Sequence, residues 1–237
     1  MTKPSSIRAV VLLSGGMDST VCTAMAAHEH GAANVAAMHI SYGQRTEKRE
    51  RESFIRICDR LGISTRMLIE NRSLSQIGGS ALTDKNIAVP KSAHIGPPRR
   101  EIPVTYVPFR NAHFLSAAVS WAEVLGAKQV FIGAVAQDSS GYPDCRPEYY
   151  QAFNQVIRVG TKAADIAIAT PLIALRKAEI IRRGLELGAP LDLTWSCYTE
   201  ESEACGVCDS CVLRLRAFEA AGAKDPLPYA ARVAAHS

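Results

Sequence analysis

The 237-residue sequence contains no apolar run long enough to cross a membrane. It also lacks the basic segment followed by an apolar segment that marks a secretory signal peptide, so we expect a cytoplasmic protein that binds no membrane. No internal repeat or low-complexity segment is present. The formal net charge of +4 suits an anionic nucleotide but gives little support to nucleic-acid binding. With 47% hydrophobic residues, the chain can build a substantial core.

The cysteines are not spread along the chain as in a secreted disulfide framework. Four of the seven lie within residues 197–211 in the pattern C-x7-C-x2-C-x2-C, and the other three are scattered. Four thiolates are the number that a closed tetrahedral site requires, so the pattern predicts a structural Zn²⁺. An iron–sulfur cluster uses the same ligands and remains the alternative. The predicted metal ligands are Cys197, Cys205, Cys208 and Cys211.

The chain has neither a GxGxxG motif nor a Walker loop, but it has another glycine-rich turn. Residues 14–20, the SGGMDST loop, follow the apolar run 7–13 and open a helix-like segment that ends near Gly31. A strand, a tight turn and a helix N-terminus in this order form an anion site, because backbone N–H groups and the helix dipole face the turn. The alternative is an ordinary serine-rich turn that caps a helix. The loop resembles the SGGxDS loop of ATP pyrophosphatases, which cleave ATP between its α and β phosphates.

We expect ATP to contact this loop and the first turns of the helix that follows it. Asp18 is placed where a carboxylate could hold Mg²⁺ against the phosphates. The predicted ATP-binding residues are Leu13, Ser14, Gly15, Gly16, Met17, Asp18, Ser19, Thr20, Val21, Cys22 and Thr23.

Short apolar runs alternate with helix-favouring segments along most of the chain. This alternation predicts an α/β fold, with a Rossmann-like parallel sheet and helices on both faces. The predicted strands are residues 7–13, 34–40, 64–70, 129–135 and 166–170, and the predicted helices are residues 18–30, 44–61, 111–126, 148–159 and 176–187. Residues 71–108 are rich in glycine and proline and predict an irregular loop. We divide the chain into a nucleotide-binding domain (1–190), a four-cysteine segment packed on it (191–220) and a C-terminal tail (221–237).

The loops between these elements should meet at the carboxyl edge of the sheet. Arg110 and Lys177 lie in such loops or at helix starts, and both are candidates to contact phosphate. With Asp18 they are the predicted catalytic residues. A surface ion pair for Arg110 and a solvated side chain for Lys177 are the alternatives.

Six separated parts of the sequence together resemble the 7-cyano-7-deazaguanine synthase family. They are residues 13–20 (LSGGMDST), 42–45 (YGQR), 107–111 (VPFRN), 140–146 (SGYPDCR), 170–179 (TPL and KAE) and 197–211 with its cysteines. The resemblance implies an adenine nucleotide alpha hydrolase-like fold and a zinc-containing homodimer. It also implies an ATP-dependent ligase that converts 7-carboxy-7-deazaguanine and ammonium to 7-cyano-7-deazaguanine (preQ0) by adenylation, amide formation and dehydration. This reaction belongs to the biosynthesis of the queuosine precursor.

The resemblance also suggests which residues meet the base. The deazaguanine edge presents N–H donors, which suit the carboxylates of Asp138 or Asp144. Tyr142 could stack on the base, and Arg146 could hold Asp144 or meet the substrate carboxylate. Ordinary roles in turn structure are the alternative for all four. The Cys145 thiol is more typical of a small buried residue than of a covalent catalyst.

Three positions depart from the family pattern: Met17 stands where Gln is common, Phe109 where Gly is common, and residues 136–139 read AQDS. Other functions therefore stay open. One is a divergent deazaguanine enzyme that stops at the amide or conjugates the base to another molecule. A second is a tRNA-modifying ATP pyrophosphatase, and a third is a zinc-bearing module that binds nucleic acid.

Overall fold

A computed structural model of the protein describes residues 7–90, 102–136 and 142–230. Its strands form one five-stranded sheet in the order β3-β2-β1-β4-β5, and every neighbouring pair is parallel. The strands are β1 (Ala9–Leu12), β2 (Val35–Ser41), β3 (Thr65–Glu70), β4 (Gln129–Ile132) and β5 (Ala167–Ala169). The predicted Rossmann-like parallel sheet is confirmed, although most strands are shorter than their apolar runs.

Seven α-helices lie in the described ranges, five of them close to the predicted positions. They are α1 (Met17–His30), α2 (Glu47–Leu61), α3 (Ser73–Ile77), α4 (Arg110–Leu125), α5 (Pro147–Gly160), α6 (Lys177–Glu186) and α7 (Asp209–Ala221). The short helix α3 occupies part of the stretch that we predicted as irregular. Helix α7 lies in the four-cysteine segment, where we predicted no helix. None of the helices in the described ranges has the length and apolar character that crossing a membrane requires.

Helices cover both faces of the sheet, as predicted. Side chains alternate along β1, so that Ala9 and Val11 face a core shared with α1, α2, α6 and α7. Val10 and Leu12 face a second core, which is shared with α4 and α5. A strand buried on both faces must be apolar at every position, which explains the continuous apolar run of β1.

The strand order places the topological switch point between β1 and β4. Gly133 follows β4 directly, and a Cβ atom at this position would lie 2.9 Å from the backbone of Asp18. Only glycine therefore lets the end of β4 approach the first turn of α1 so closely. Parallel α/β sheets bind ligands in the crevice outside the carboxyl ends of their strands at such a point.

The C-terminal part of the chain packs back onto this edge of the sheet. The backbone N–H of Trp195 donates to the carbonyl oxygen of Gly15 over 2.8 Å. Beyond α7, the chain returns to the four-cysteine segment, because Ala204 and Pro228 are joined by a backbone hydrogen bond of 3.0 Å. The part of the tail that the structure describes, up to residue 230, is therefore packed against the cysteines.

Candidate active site

The SGGMDST loop forms a tight turn between β1 and α1. Gly15 has a φ angle of +91°, and a Cβ atom there would lie 2.7 Å from the carbonyl oxygen of Glu50. Gly16 precedes the helix, and its carbonyl oxygen accepts hydrogen bonds from the hydroxyls of Ser19 (3.0 Å) and Thr20 (2.8 Å). These contacts fix the turn and direct the helix N-terminus toward the crevice, where an anion is favoured.

A crevice of about 500 Å³ opens at the carboxyl ends of the strands. Six of the eleven predicted ATP-binding residues line it: Leu13, Ser14, Gly16, Met17, Asp18 and Ser19.

The other five predicted ATP-binding residues, Gly15, Thr20, Val21, Cys22 and Thr23, are buried and do not line the crevice. The side chains of Val21 and Cys22 belong to the core, because the helical turn carries them to the inner side of α1. The Thr23 hydroxyl donates to the carbonyl oxygen of Ser19 over 2.7 Å.

Asp18 and Lys177 meet at the edge of the crevice. Lys177 is the first residue of α6, and its ammonium group forms an ion pair with Asp18 Oδ2. The helix dipole disfavours a cation at a helix N-terminus, and the negative charge of the Asp18 carboxylate offsets this unfavourable interaction at Lys177. Asp18 Oδ1 is buried and has no hydrogen-bond partner among the described residues. A carboxylate oxygen with this freedom fits Mg²⁺, which binds oxygen ligands.

Arg110 begins α4 and lines the crevice opposite the loop. Its Nη1 donates to the Tyr42 hydroxyl over 3.1 Å, and its guanidinium lies 5.6 Å from the Tyr42 ring and 5.8 Å from the Phe114 ring. The hydrogen bond and the two aromatic contacts fix the position of the guanidinium. The group is thereby preorganised to bind phosphate.

Glu50 is a crevice residue that our sequence reasoning missed. It accepts hydrogen bonds from Gln44 Nε2 (2.9 Å) and from the Thr46 hydroxyl (2.8 Å), and its burial raises the pKa of its carboxyl. The spacing gives a usable signal, because Glu50 lies four and seven residues before the core residues Phe54 and Ile57 on the same helix face.

Of the predicted base-binding residues that the structure describes, Tyr142 alone lines the crevice. Its hydroxyl shares a hydrogen bond of 2.8 Å with the Thr105 hydroxyl. Cys145 also lines the crevice, and burial raises the pKa of its thiol to about 11. The thiol is therefore protonated at neutral pH, which disfavours a nucleophilic role.

The other two predicted base-binding residues in the described ranges, Asp144 and Arg146, are not in the crevice. Asp144 is 3% exposed and lies behind the wall, where its Oδ2 accepts the backbone N–H of Asn111 over 3.1 Å. Burial raises the pKa of the Asp144 carboxyl. Arg146 is exposed at the start of α5 and does not line the crevice, because the 3₁₀ turn Pro143–Cys145 directs it outward. Asp138 lies outside the described residues.

The four predicted metal ligands come together. The Sγ atoms of Cys197, Cys205, Cys208 and Cys211 all lie within 4.8 Å of one another. Backbone N–H groups of Glu200 and Cys205 donate to Cys197 Sγ, each over 3.4 Å. Such N–H···S hydrogen bonds stabilise thiolates, and four thiolates suit a closed tetrahedral site. The cluster therefore fits a structural metal ion.

The four-cysteine segment also forms one wall of the crevice, which we did not predict. Trp195 is stacked under the guanidinium of Arg49, whose central carbon lies 4.7 Å from the ring centre. The residues of this wall are Trp195, Ser196, Cys197, Tyr198, Asp209, Ser210, Leu213 and Arg214. A sequence signal was present, because aromatic residues flank the first ligand, Cys197, on both sides.

Comparison with known families gives this geometry a context. A family model described as "Queuosine biosynthesis protein QueC" matches residues 8–222, from β1 to the end of α7. The chain belongs to the QueC family. The resemblance inferred from its separated motifs is thereby confirmed.

Relatives of this QueC-family chain are similar over nearly their full lengths. A protein from Koribacter versatilis named 7-cyano-7-deazaguanine synthase is 67% identical over 230 residues, which cover 97% of this chain and 96% of the relative. A protein of the same name from Acidobacterium capsulatum is 62% identical over 97% of this chain and 99% of the relative. Among solved structures, NMN synthetase from Francisella tularensis gives a TM-score of 0.48 at 16% identity, covering 97% of this chain and 82% of that one.

The structure shows where two of the three departures from the family pattern lie, Met17 and Phe109. Met17 lines the crevice at the start of α1. Phe109 is 60% exposed just before α4, with a φ angle of +55° that favours glycine. Residues 137–139 of the third departure lie outside the described residues.

Proposed function

We propose that this protein is a 7-cyano-7-deazaguanine synthase. It would convert 7-carboxy-7-deazaguanine, ammonium and ATP to 7-cyano-7-deazaguanine in queuosine precursor biosynthesis. The observation that carries the proposal is the convergence of the SGGMDST loop, the Asp18–Lys177 pair and Arg110 on one crevice. The chain is 67% and 62% identical, over 97% of its length, to two proteins named as this synthase, and this supports the proposal.

Adenylation gives the substrate carboxylate a good leaving group, which is the main chemical requirement of the reaction. A carboxylate resists attack by ammonia because an oxide ion is a very poor leaving group. The substrate carboxylate oxygen therefore attacks the α phosphorus of ATP, and the bond to pyrophosphate breaks. Backbone N–H groups of the SGGMDST loop stabilise the charge on the pyrophosphate that leaves.

Ammonia then attacks the mixed anhydride, so that a C–N bond forms and AMP leaves with the original substrate oxygen. The amide oxygen attacks a second ATP in the same way, and loss of AMP with two protons from nitrogen leaves the nitrile. One crevice can run both rounds if the base remains bound while the nucleotide exchanges.

The lining of the crevice suits both substrates. Its floor is apolar, which fits the flat adenine ring. Arg110 and Lys177 supply positive charge near the loop, and Tyr142 offers an aromatic face to the deazaguanine. The floor residues are Leu12, Met38, Ile40, Phe114 and Ile132.

Two metal ions complete the proposal. Mg²⁺ would be held by Asp18 together with the phosphates, and it would neutralise phosphate charge. Zn²⁺ would be held by Cys197, Cys205, Cys208 and Cys211 as a structural ion, which leaves no open position for chemistry.

The partners that we propose are small molecules, with neither nucleic acid nor membrane involved. We propose a homodimer in the cytoplasm. The modest net charge supports small-molecule substrates over the substrate of a tRNA-modifying enzyme, because such an enzyme needs an extended basic surface.

Product analysis tests the function. Mass spectrometry of the deazaguanine product should show the nitrile, with AMP and pyrophosphate formed in parallel. Asp18→Ala should abolish turnover and leave the fold intact, whereas Asp165→Ala, at an exposed ion pair with Lys128, should retain activity. An amide as the final product, or a base conjugated to another molecule, would favour the divergent enzyme.

A further inference from the structure

Two buried oxygen atoms beside the crevice have no hydrogen-bond partner among the described residues. They are Asp144 Oδ1 and the hydroxyl oxygen of Tyr149, and each exposes less than 1 Å². Buried polar atoms in native proteins are nearly always hydrogen-bonded, because leaving one unsatisfied is costly. Tyr150 contacts both residues, because its hydroxyl donates to the Asp144 backbone oxygen and its ring lies 5.1 Å from the Tyr149 ring. The two atoms therefore indicate a place for a small polar molecule.

The Asp144 carboxylate is held firmly in its position. Its Oδ2 accepts the backbone N–H of Asn111, and its backbone oxygen accepts Asn111 Nδ2 (2.9 Å) and the Tyr150 hydroxyl (3.0 Å). Burial and the neighbouring Asp144 carboxylate both raise the pKa of Tyr149, which places the two side chains within electrostatic reach.

Aromatic rings surround the Tyr149 side chain. Its ring lies 5.1 Å from the Tyr150 ring and 6.3 Å from the Phe109 ring, both edge to face, and 5.9 Å from the Phe153 ring. A carboxylate oxygen, a hydroxyl and aromatic rings are the groups that recognise a small ammonium-type cation. They are too few oxygen ligands for Ca²⁺ or Mg²⁺.

The two oxygens lie next to the crevice, behind residues that line it. Cys145 follows Asp144 directly and lines the crevice, as does Arg110, whose charge acts on both residues. On the other side, Phe109 contacts Tyr149 and is largely exposed to solvent. The site therefore lies between the protein surface and the place where the acyl adenylate would form.

We propose that Asp144 Oδ1 and the Tyr149 hydroxyl bind ammonium, the nitrogen donor of the reaction. This inference rests on the proposed function. Ammonium has four N–H donors and no acceptor, so it satisfies both oxygens. Before attack, ammonium gives one proton to the Asp144 carboxylate. The nitrogen lone pair then forms the C–N bond, the C–O bond to AMP breaks, and the nitrogen loses a second proton to solvent.

Steady-state kinetics of three variants test this site. Tyr149→Phe should raise the KM for ammonium about tenfold, a factor that corresponds to one lost hydrogen bond, with the KM for ATP within about twofold. Asp144→Asn should raise the same KM and also lower kcat, because its amide cannot take the proton. Thr161→Val is the control, since it removes a hydroxyl that donates to the backbone oxygen of Ile157 at the other end of the same helix. It should lower the Tm and leave the KM for ammonium unchanged.

A binding measurement separates this inference from the proposed function. Without ATP, ammonium chloride should raise the Tm of the wild-type protein above that in sodium chloride of equal ionic strength, and Tyr149→Phe should remove the difference. If wild-type protein makes no nitrile but keeps this ammonium effect, only the proposed function fails. An unchanged KM for ammonium in Tyr149→Phe, or no ammonium-specific effect on the Tm, would overturn the site.

Discussion

At the scale of single residues, the crevice depends on side chains that arrive from distant parts of the chain. Asp18 and Lys177 are 159 residues apart, yet their side chains form an ion pair. Lys177 reaches this position because Glu179 accepts the backbone N–H of Arg176 over 2.7 Å, which fixes the first turn of the helix. The start of α6 therefore positions the Lys177 ammonium group beside the SGGMDST loop.

Phe109 provides a prediction at the same scale. Its left-handed backbone strains any residue that carries a Cβ atom, and the residue is largely exposed. We therefore expect Phe109→Gly to be more stable than Phe109→Ala by about 1 kcal/mol, because both variants remove the ring and only glycine relieves the strain. Urea unfolding of the two purified variants measures this difference. Equal stabilities would show that the backbone at residue 109 is not strained.

The strand–turn–helix geometry of the SGGMDST loop and the clustering of the four cysteines were predictable from the sequence. The SGGMDST loop and the cysteine spacing are short patterns, and their side chains act within a few residues of one another. The positions of Asp144 and Arg146 outside the crevice were not predicted, because the 3₁₀ turn Pro143–Cys145 buries one and exposes the other, and no sequence pattern indicates that turn. The position of Glu50 in the crevice was not predicted, because Glu50 belongs to a charged helix in which most charged side chains face solvent.

At the scale of secondary structure elements, a buried ion pair joins α7 to the tail. Arg214 and Asp225 expose only 2% and 4% of their side chains, and two hydrogen bonds of 2.8 and 2.9 Å connect them. Arg214 Nη1 also donates to the Thr194 hydroxyl over 2.7 Å, and the Tyr229 hydroxyl donates to Asp225 over 2.7 Å. The tail residues 225–229 thereby help to hold the segment that carries Trp195.

Removing one partner of this pair should be strongly destabilising. We expect Arg214→Met to cost about 3–5 kcal/mol of unfolding free energy, because Asp225 would remain buried without its counter-charge. The double variant Arg214→Met with Asp225→Leu should recover most of this loss. Denaturant unfolding of the single and double variants gives the comparison. A single variant as stable as the wild type would mean that the pair contributes little.

The elements themselves were predictable to different degrees. Strands and long helices follow from apolar periodicity and glycine stops, and the structure confirms five strands and five helices at about the predicted positions. Helix α3 has only five residues in a stretch rich in glycine and proline, so its local signal is weak. Helix α7 begins directly after Cys208, and its stability depends on packing against α6 and on the cysteine cluster, which no local pattern expresses.

At the scale of the whole molecule, the four-cysteine segment is part of the active crevice. The backbone N–H of Trp195 donates to the carbonyl oxygen of Gly15, and Trp195 lies two residues before Cys197, so the four-cysteine cluster is connected to the SGGMDST loop. The sequence predicted only that the four-cysteine segment packs on the nucleotide-binding domain. The wall that this segment contributes was not predicted, because the aromatic residues beside Cys197 do not reveal how the segment returns across the end of β1.

This arrangement predicts that metal loss also weakens ATP binding. Cys205→Ser should lose the bound zinc, as measured by elemental mass spectrometry, and should bind ATP more weakly in calorimetry. Cys58→Ser is the control, because Cys58 lies in the core away from the cluster and should retain zinc. Full ATP affinity in a zinc-free Cys205→Ser protein would contradict the coupling.

Oxygen-isotope transfer tests the central claim, adenylation of the substrate carboxylate in this crevice, most directly. 7-Carboxy-7-deazaguanine carrying ¹⁸O in both carboxylate positions is incubated with ammonium and unlabelled ATP, and the released AMP is analysed by mass spectrometry. We expect each AMP to carry a single ¹⁸O atom and both labelled oxygens to leave on AMP as the nitrile forms. Unlabelled AMP, or release of ADP with labelled phosphate, would contradict adenylation.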